Sequence, residues 1–187
     1  MTSVFITGTP TAGKSTLAKK IAESLGMQVM RSDDLRDEMQ KNPILEPWVN
    51  FYWNKNEAEY YASVTPEEQW RDLVLQSDAF WPTMKKNILN VLESGTPTIF
   101  EGVNLLPHLM NEVLIPGIVL VNSSEEEIFE RLKKASRWGE TEELQRIEAH
   151  IFFSSERPGY LREAEQYGIP AFSDSVSAEA ILKTMIL

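Results

Sequence analysis

The sequence predicts an α/β protein with a doubly wound parallel sheet, and two observations carry this prediction. The chain opens with a short apolar run, residues 4–6, followed by a glycine-containing loop and a helical pattern. Further along, apolar runs of strand length alternate with stretches whose apolar residues recur every three or four positions. Strands separated by helices imply parallel pairing through right-handed crossovers. The length of 187 residues suits one such domain.

The first loop carries a recognisable motif. Residues 8–15 read GTPTAGKS and fit G-x-x-x-x-G-K-[ST]. The apolar, β-branched and aromatic run before it predicts a strand, and the apolar positions from Leu17 to Leu25 predict a helix that stops at Gly26. Because the motif lies between a strand and a helix, it predicts a phosphate-binding loop (P-loop) rather than an ordinary glycine-rich turn.

A P-loop binds nucleotide phosphates mainly through its backbone. Gly8 and Gly13 let the chain turn tightly with its N–H groups inward, and the helix N-terminus adds positive potential. We expect Lys14 to reach the β- and γ-phosphates of ATP and the Ser15 hydroxyl to hold Mg²⁺. The expected ATP-binding residues are Thr9, Pro10, Thr11, Ala12, Gly13, Lys14, Ser15 and Thr16.

Composition narrows the class of protein. Hydrophobic content of 42% and charged content of 25% are typical of a globular domain. The sequence shows neither a signal peptide nor an apolar run near 18 residues, so we expect a cytoplasmic protein without a membrane span. It has no cysteine for a disulfide or a thiolate zinc site. A net charge of −10 disfavours nucleic acid and anionic membranes as partners, so cations must converge locally if the substrates are anions.

The remaining elements follow in order. We predict further strands near 28–30, 97–100, 118–121 and 169–172, and a helix that begins at the capping box Thr65–Glu68. A separate helix is expected over 79–93, with Pro82 opening or kinking it. Residues 44–94 are predicted as a helical insertion and 135–157 as an arginine-bearing lid. The aromatic residues of 48–61 either pack this insertion onto the domain or line an acceptor pocket.

Two acids follow the second predicted strand. If that strand neighbours the P-loop strand, Asp33 faces the γ-phosphate as a general base or as a ligand of Mg²⁺ through water. The alternative is that Ser32 or Asp33 caps a short helix. Arg36 lies three residues on and either binds an anionic acceptor beside Asp33 or is a solvated surface residue.

Glu101 and Gly102 end the third predicted strand, where P-loop proteins usually carry an aspartate. We expect Glu101 to order Mg²⁺ through water or to bind the acceptor, with an ordinary loop acid as the alternative. Gly102 lets a ligand or backbone approach closely.

Three arginines, Arg131, Arg137 and Arg146, lie on or after the acid-capped helix that starts near 125. Phosphoryl transfer needs cations around the transferred group, often delivered by a closing lid. Arg131 and Arg137 are therefore predicted as catalytic, whereas His108 and His150 show no metal-ligand or nucleophile pattern.

Islands of sequence also resemble a known family. The P-loop, the stretch SDDLRDE at 32–38 and EGVNLLP at 101–107 together resemble the 2-phosphoglycerate kinase family of small P-loop kinases, although Asn104 replaces its usual histidine. The resemblance implies a P-loop NTPase, nucleotide-kinase-like three-layer α/β/α fold. It also implies that Lys14 and Ser15 act at ATP–Mg²⁺ and that Asp33, Arg36 and Glu101 surround the acceptor.

The sequence therefore predicts a kinase that moves the γ-phosphoryl group of ATP to a small, anionic acceptor resembling 2-phosphoglycerate. Two alternatives stay open. A nucleoside or nucleotide kinase would use the aromatic residues of 48–61 to stack a base. A nucleotide-binding switch would bind ATP with little turnover, although it has no need of acids at the strand ends.

Overall fold

The protein contains one five-stranded parallel sheet with strand order β2-β3-β1-β4-β5. This computed structural model describes residues 1–52, 54–137 and 139–187. The strands are β1 Val4–Thr7, β2 Gln28–Arg31, β3 Thr98–Glu101, β4 Gly117–Leu120 and β5 Ala171–Phe172. All four pairings between neighbouring strands are parallel, which confirms the predicted doubly wound sheet.

Helices connect successive strands and cover both faces of the sheet. They are α1 Lys14–Leu25, α2 Arg36–Gln40, α3 Glu46–Val49, α4 Glu57–Ser63, α5 Pro66–Glu93, α6 Pro107–Met110, α7 Glu125–Lys134, α8 Glu142–Ile151, α9 Arg157–Gln166 and α10 Ser175–Ile186. A 3₁₀ turn, Ser32–Leu35, follows β2, and a π-helical turn, Phe152–Glu156, joins α8 to α9.

Side chains alternate between the two faces of the sheet, so each strand contributes to two separate hydrophobic cores. Val4 and Ile6 point to one face, where they pack with α1 and α10, whereas Phe5 packs on the other face with α5, α6 and α9. A third cluster joins α4, α7 and α8 through Tyr60, Tyr61, Phe129 and Ala149. Since every described residue of β1, β3 and β4 is buried, the carboxyl ends of these strands form a fixed platform for a site.

The strand order differs from the one assumed for the role of Asp33. Strand β2 does not neighbour β1, because β3 lies between them with Ile6 paired to Glu101 and Arg31 also paired to Glu101. Glu101, not Asp33, is therefore the acid that ends the strand adjacent to the P-loop strand. Asp33 reaches the site from one strand further away.

The two helices predicted over 65–93 are a single helix, α5, with Pro82 inside it. Its start was predicted correctly, because Thr65 and Glu68 form the reciprocal capping box. Pro82 removes one intrahelical hydrogen bond. The flanking residues Trp81 and Met84 are buried in the core, so tertiary packing overrides the local helix-breaking preference.

The polar segment 135–157 contains a helix that its sequence does not predict. Thr141 accepts a hydrogen bond from the Leu144 N–H and starts α8, whose residues Ala149 and Ile151 pack onto α7 and α4. Among the residues that the structure describes, no helix combines the length and the apolar character needed to cross a membrane.

His108 joins α6 to two other helices. Its Nδ1 lies 2.8 Å from Glu163 Oε2 and its Nε2 lies 3.0 Å from Asp78 Oδ1. The hydrogen bond to Glu163, assisted by Asp78, raises the pKa of His108 to about 9 despite partial burial. The protonated ring therefore stabilises the fold fully below its ordinary pKa near 6.5, and this stabilisation is lost as the pH rises through about 9.

We predict that His108→Asn lowers Tm by about 2–4 °C at pH 6, where one hydrogen bond contributes ~1 kcal/mol. The deficit should shrink when Tm is measured at pH 10, because the wild-type ring is then neutral. His150→Asn is the control, since His150 is exposed and pairs with Glu125 on the surface. A deficit of equal size at both pH values would contradict the assignment.

Candidate active site

The P-loop needs glycine at both of its motif positions. Gly8 has φ +132°, and a Cβ placed on it would lie 1.9 Å from the carbonyl oxygen of Leu120. Gly13 has φ +94° and forms the N-cap of α1. Thr11 between them also has positive φ, at 60°. The motif glycines therefore set a backbone that other residues adopt only under strain.

Side chains outside the motif hold the loop in place. Thr9 Oγ1 donates to Asn122 Oδ1 at 2.7 Å, and the Asn122 amide nitrogen Nδ2 donates to Thr11 Oγ1 at 3.2 Å. Arg131 donates to the Thr11 carbonyl at 2.5 Å. Both threonines thus tie the loop to Asn122, which follows β4, and Thr11 also ties it to α7. These contacts preorganise the backbone N–H groups of the loop.

Lys14 is a buried cation within this loop. Only 7% of the residue is exposed, and its Nζ donates to the Thr9 carbonyl at 2.7 Å. Desolvation lowers the pKa of Lys14 to about 8, although the nearby Glu101 partly offsets the effect. Among the described residues no carboxylate forms an ion pair with this buried ammonium, which therefore favours an anionic ligand such as a phosphate.

Glu101 stands between the P-loop and β2. Its Oε1 accepts from Ser15 Oγ at 2.9 Å and from Arg31 Nε at 3.0 Å, and the residue is only 3% exposed. A hydroxyl and one carboxylate fit Mg²⁺, which keeps several waters and binds phosphate oxygens in addition to one or two protein oxygens. The described residues contain no cluster of three or more acids and histidines that would form an all-protein metal cage.

We predict that Glu101→Gln raises the Mg²⁺ concentration needed for half-maximal activity by ~10-fold, as expected when an outer-shell carboxylate is lost. The measurement is a Mg²⁺ titration of turnover at fixed ATP. Glu23→Gln, an exposed change on α1, is the control and should leave the titration unchanged. An unaltered midpoint in Glu101→Gln would mean that the carboxylate does not help to hold the ion.

A cavity opens above the P-loop, and we call it the P-loop cavity. Among the described residues, four cations and two acids line it, together with Thr11, Gly13, Ser15, Thr16, Gly102 and Val103. The charged side chains are Lys14, Arg31, Arg131, Arg137, Asp33 and Glu101. In a chain of net charge −10, this is a local excess of positive charge that attracts a polyphosphate.

A second cavity, the aromatic cavity, adjoins the first. Its wall comprises Pro10, Asp33, Arg36, Tyr52, Tyr61, Gln69, Leu73, Gln76, Val103, Asn104, Arg137, Glu148, Phe152 and Glu156. Three residues, Asp33, Val103 and Arg137, line both cavities. The two spaces therefore meet at a shared boundary that includes a carboxylate and a guanidinium.

The predicted ATP-binding residues occupy different places. Thr11, Gly13, Lys14, Ser15 and Thr16 line the P-loop cavity, whereas Pro10 lines the aromatic cavity. Thr9 and Ala12 are buried behind the loop. Gly102 lines the P-loop cavity, but a Cβ there would lie 1.8 Å from Ser32 Oγ, so packing alone already requires glycine.

The capping alternative for Ser32 and Asp33 is wrong. Neither the 3₁₀ turn nor α2 has a side-chain cap, and Ser32 Oγ is buried without a hydrogen-bond partner among the described residues. Asp33 instead pairs with Arg31 at 3.6 Å and is about half exposed at the junction of the cavities. Asp34 is exposed and lines neither cavity.

The structure separates the predicted arginines. Arg131 and the exposed Arg137 line the P-loop cavity. Arg146 stacks over Phe129 at 3.8 Å and pairs with Glu142, so it fastens α8 to α7 outside both cavities. Arg36 lines the aromatic cavity, where its guanidinium donates to the Val49 carbonyl at 2.8 Å.

Sequence reasoning missed the polar residues of the inner wall. Glu148 and Glu156 are 1% and 4% exposed, and Gln69 is 1% exposed. They come from α8, the π-helical turn and α5, which are far apart in the sequence and follow no motif. A weak local signal is that Glu148 shares a helical face with the apolar Ile151 and Phe152.

A family model described as an AAA domain matches residues 4–152, which include the P-loop and most of both cavities. The chain belongs to the AAA_18 family of AAA domains. No curated protein sequence matches this AAA domain.

Solved structures show the fold of this AAA domain. A putative kinase from Chloroflexus aurantiacus is 15% identical, with a TM-score of 0.54, and the match covers 100% of this chain and 98% of that one. A deoxyadenosine kinase from M. mycoides with bound dATP is 17% identical, with a TM-score of 0.50 and 98% of both chains covered. The chain therefore has the P-loop, nucleotide-kinase-like fold predicted from its sequence.

Proposed function

We propose that this protein is an ATP-dependent phosphotransferase that moves the γ-phosphoryl group to a small molecule. The observation that carries the proposal is the junction of the two cavities at Asp33, Val103 and Arg137. A nucleoside triphosphate bound by the P-loop would have its terminal phosphate near this junction. An acceptor in the aromatic cavity then meets the phosphate from the other side, as an in-line transfer requires.

The donor side supplies positioning and positive charge. The preorganised N–H groups of the P-loop and the Lys14 ammonium bind the β- and γ-phosphates, and Arg131 and Arg137 face the same space. Ser15 and Glu101, which hydrogen-bond to each other, would hold Mg²⁺. The ion would neutralise negative charge on the phosphates during transfer.

The acceptor side supplies a base. Asp33 lies at the junction, and within the described part of the chain its one ion pair is with Arg31 at 3.6 Å. In the proposed reaction its carboxylate accepts the proton of the acceptor hydroxyl while that oxygen attacks the γ-phosphorus. We also propose that the predicted lid acts through the loop before α8, which carries Arg137.

The identity of the acceptor is the finer part of the proposal. The resemblance to 2-phosphoglycerate kinases and the presence of Arg36 and Arg137 in the aromatic cavity support an anionic acceptor. A second candidate, a nucleoside acceptor, is favoured by the rings of Tyr52, Tyr61 and Phe152 in the same wall. Asn104, which replaces the family's histidine, donates to Gln76 and Ser77 and shapes this wall.

The test is ADP formation from ATP and Mg²⁺ with a panel of phosphoglycerates, sugar acids, sugars, amino sugars, nucleosides and nucleoside monophosphates. The proposal predicts that one class raises turnover well above the rate without acceptor. If ATP binds but no acceptor raises the rate, the protein is a nucleotide-binding switch and the proposal fails.

A further inference from the structure

The two cavities carry opposite charge. Among the described residues, cations outnumber acids around the P-loop cavity, whereas the aromatic cavity has two arginines and three carboxylic acids. Asp33 and Arg137 both lie at the junction with the P-loop cavity, which leaves the two acids Glu148 and Glu156 and the single cation Arg36 deeper in the aromatic cavity. Arg36 already donates to the Val49 carbonyl. The inner wall of the aromatic cavity is therefore acidic.

Glu156 is the key residue of this inner wall, because one of its carboxylate oxygens is buried and accepts no hydrogen bond from the described residues. The residue is 4% exposed, and its Oε1 accepts from Gln69 Nε2 at a long 3.4 Å. Its Oε2 has no hydrogen-bond partner among the described residues. A buried carboxylate oxygen without a donor is costly, and a ligand group that donates a hydrogen bond would remove this cost.

The backbone holds Glu156 in this position. The π-helical turn Phe152–Glu156 interrupts the path from α8 to α9, and π-helical turns occur frequently at functional sites. Ser155 fastens the turn by donating to the Pro66 carbonyl at the start of α5. Gln69 lies one turn further along α5 and meets Glu156 there. Glu156 thus lines the cavity from a position that these contacts hold in place.

We infer that the acceptor carries an amino group that enters the aromatic cavity and donates a hydrogen bond to the Glu156 carboxylate. This inference rests on the proposed phosphotransfer and names the class of acceptor that the same site takes. It favours amino-bearing sugars or amino-bearing nucleosides over the phosphorylated and carboxylated metabolites that the sequence suggests.

The electrostatics of Glu156 support this inference. Burial raises the pKa of Glu156 to about 7, although Arg137, Gln69 and Lys14 oppose the effect and Glu148 adds to it. An anionic acceptor would bring more negative charge next to this pair of buried acids. An amino group instead supplies the missing donor, and a protonated amine also supplies the missing positive charge.

The experiment compares related acceptors with and without an amino group. The sugar set is glucosamine, glucose and gluconate, and the nucleoside sets are adenosine with inosine and cytidine with uridine. Acceptor binding is measured by calorimetry with a non-hydrolysable ATP analogue, and kcat/KM is measured with ATP. We expect the amino member of one set to bind ~10-fold or more tightly than its partner. The set in which this happens identifies the source of the amino group.

Variants connect this preference to Glu156. Glu156→Leu, of similar volume and without an oxygen, should abolish the preference, and Glu156→Gln should reduce it. Glu112→Gln, a surface change beside Lys85, is the control and should keep it. Thermal unfolding of each variant establishes that it folds. Glu156→Leu removes a buried acid but leaves Gln69 Nε2 without its acceptor, whereas Glu156→Gln keeps an acceptor oxygen for Gln69 and serves if the leucine variant is unstable.

Binding and turnover separate the two proposals. An amino preference in binding that disappears in Glu156→Leu supports the inference, even if no acceptor is phosphorylated and the phosphotransferase proposal fails. Preference for gluconate or phosphoglycerate overturns the inference while phosphotransfer stands. The inference is also overturned if no acceptor binds, or if folded Glu156→Leu and Glu156→Gln both keep the wild-type preference.

Discussion

Replacing Lys14 with methionine is expected to lower kcat by ~10²–10³-fold without destabilising the fold. The loss follows because Lys14 provides a preorganised positive charge where charge develops during transfer. The fold should keep its stability because methionine removes a buried cation, and the Thr9 carbonyl retains the Ala12 N–H as a donor. Initial rates at saturating ATP and a thermal melt measure the two effects. Lys14→Ala should show the same loss of activity.

The matched control is Lys19→Met, five residues further along α1 on the exposed surface, where Lys19 pairs with Glu23 at 3.9 Å. It should retain wild-type turnover. A folded Lys14→Met protein with wild-type kcat would contradict the assignment of the P-loop cavity to the phosphate donor.

Replacing Asp33 with asparagine is expected to lower kcat by ~10²–10⁴-fold while leaving the KM for ATP nearly unchanged. Asparagine has the same shape but does not accept the acceptor's proton, and a general base contributes a factor of this size. The fold should tolerate the change because Asp33 is about half exposed and its pair with Arg31 is long. Steady-state kinetics with the best acceptor provide the measurement.

Asp34→Asn is the control for this change. It removes the same charge one residue away, at a position that lines neither cavity. Its kcat should match that of the wild type. Equal losses in Asp33→Asn and Asp34→Asn would indicate a general effect of charge near Arg31 and would rule out Asp33 as the base.

Local signals were enough to predict the sheet and the P-loop. The apolar runs of the strands, the glycines at 8 and 13 and the capping box at Thr65 each act within a few residues. The strand order is not local, because the separation of β2 from β1 depends on which helices cross which face. The continuity of α5 through Pro82 likewise depends on burial of Trp81 and Met84 against distant elements.

The candidate site divides in the same way. Lys14 and Ser15 belong to a contiguous motif, so their positions could be predicted. Asn122, which ties down the P-loop, and Glu156, which reaches the aromatic cavity from a π-helical turn, depend on contacts across more than 80 positions of sequence. Arg146 is a residue that the sequence placed in the site wrongly. Its charge suggested a role there, but it stacks on Phe129 and holds α7 and α8 together.

The most direct test of the account follows the γ-phosphoryl group itself. The protein is incubated with ATP, Mg²⁺ and the acceptor that binds best, and the phosphorus products are followed by ³¹P NMR. The account predicts one new phosphate ester on the acceptor for each ADP formed, and neither product with Lys14→Met. Formation of ADP with an equal amount of inorganic phosphate and no ester would contradict it, because ATP would then be hydrolysed without transfer.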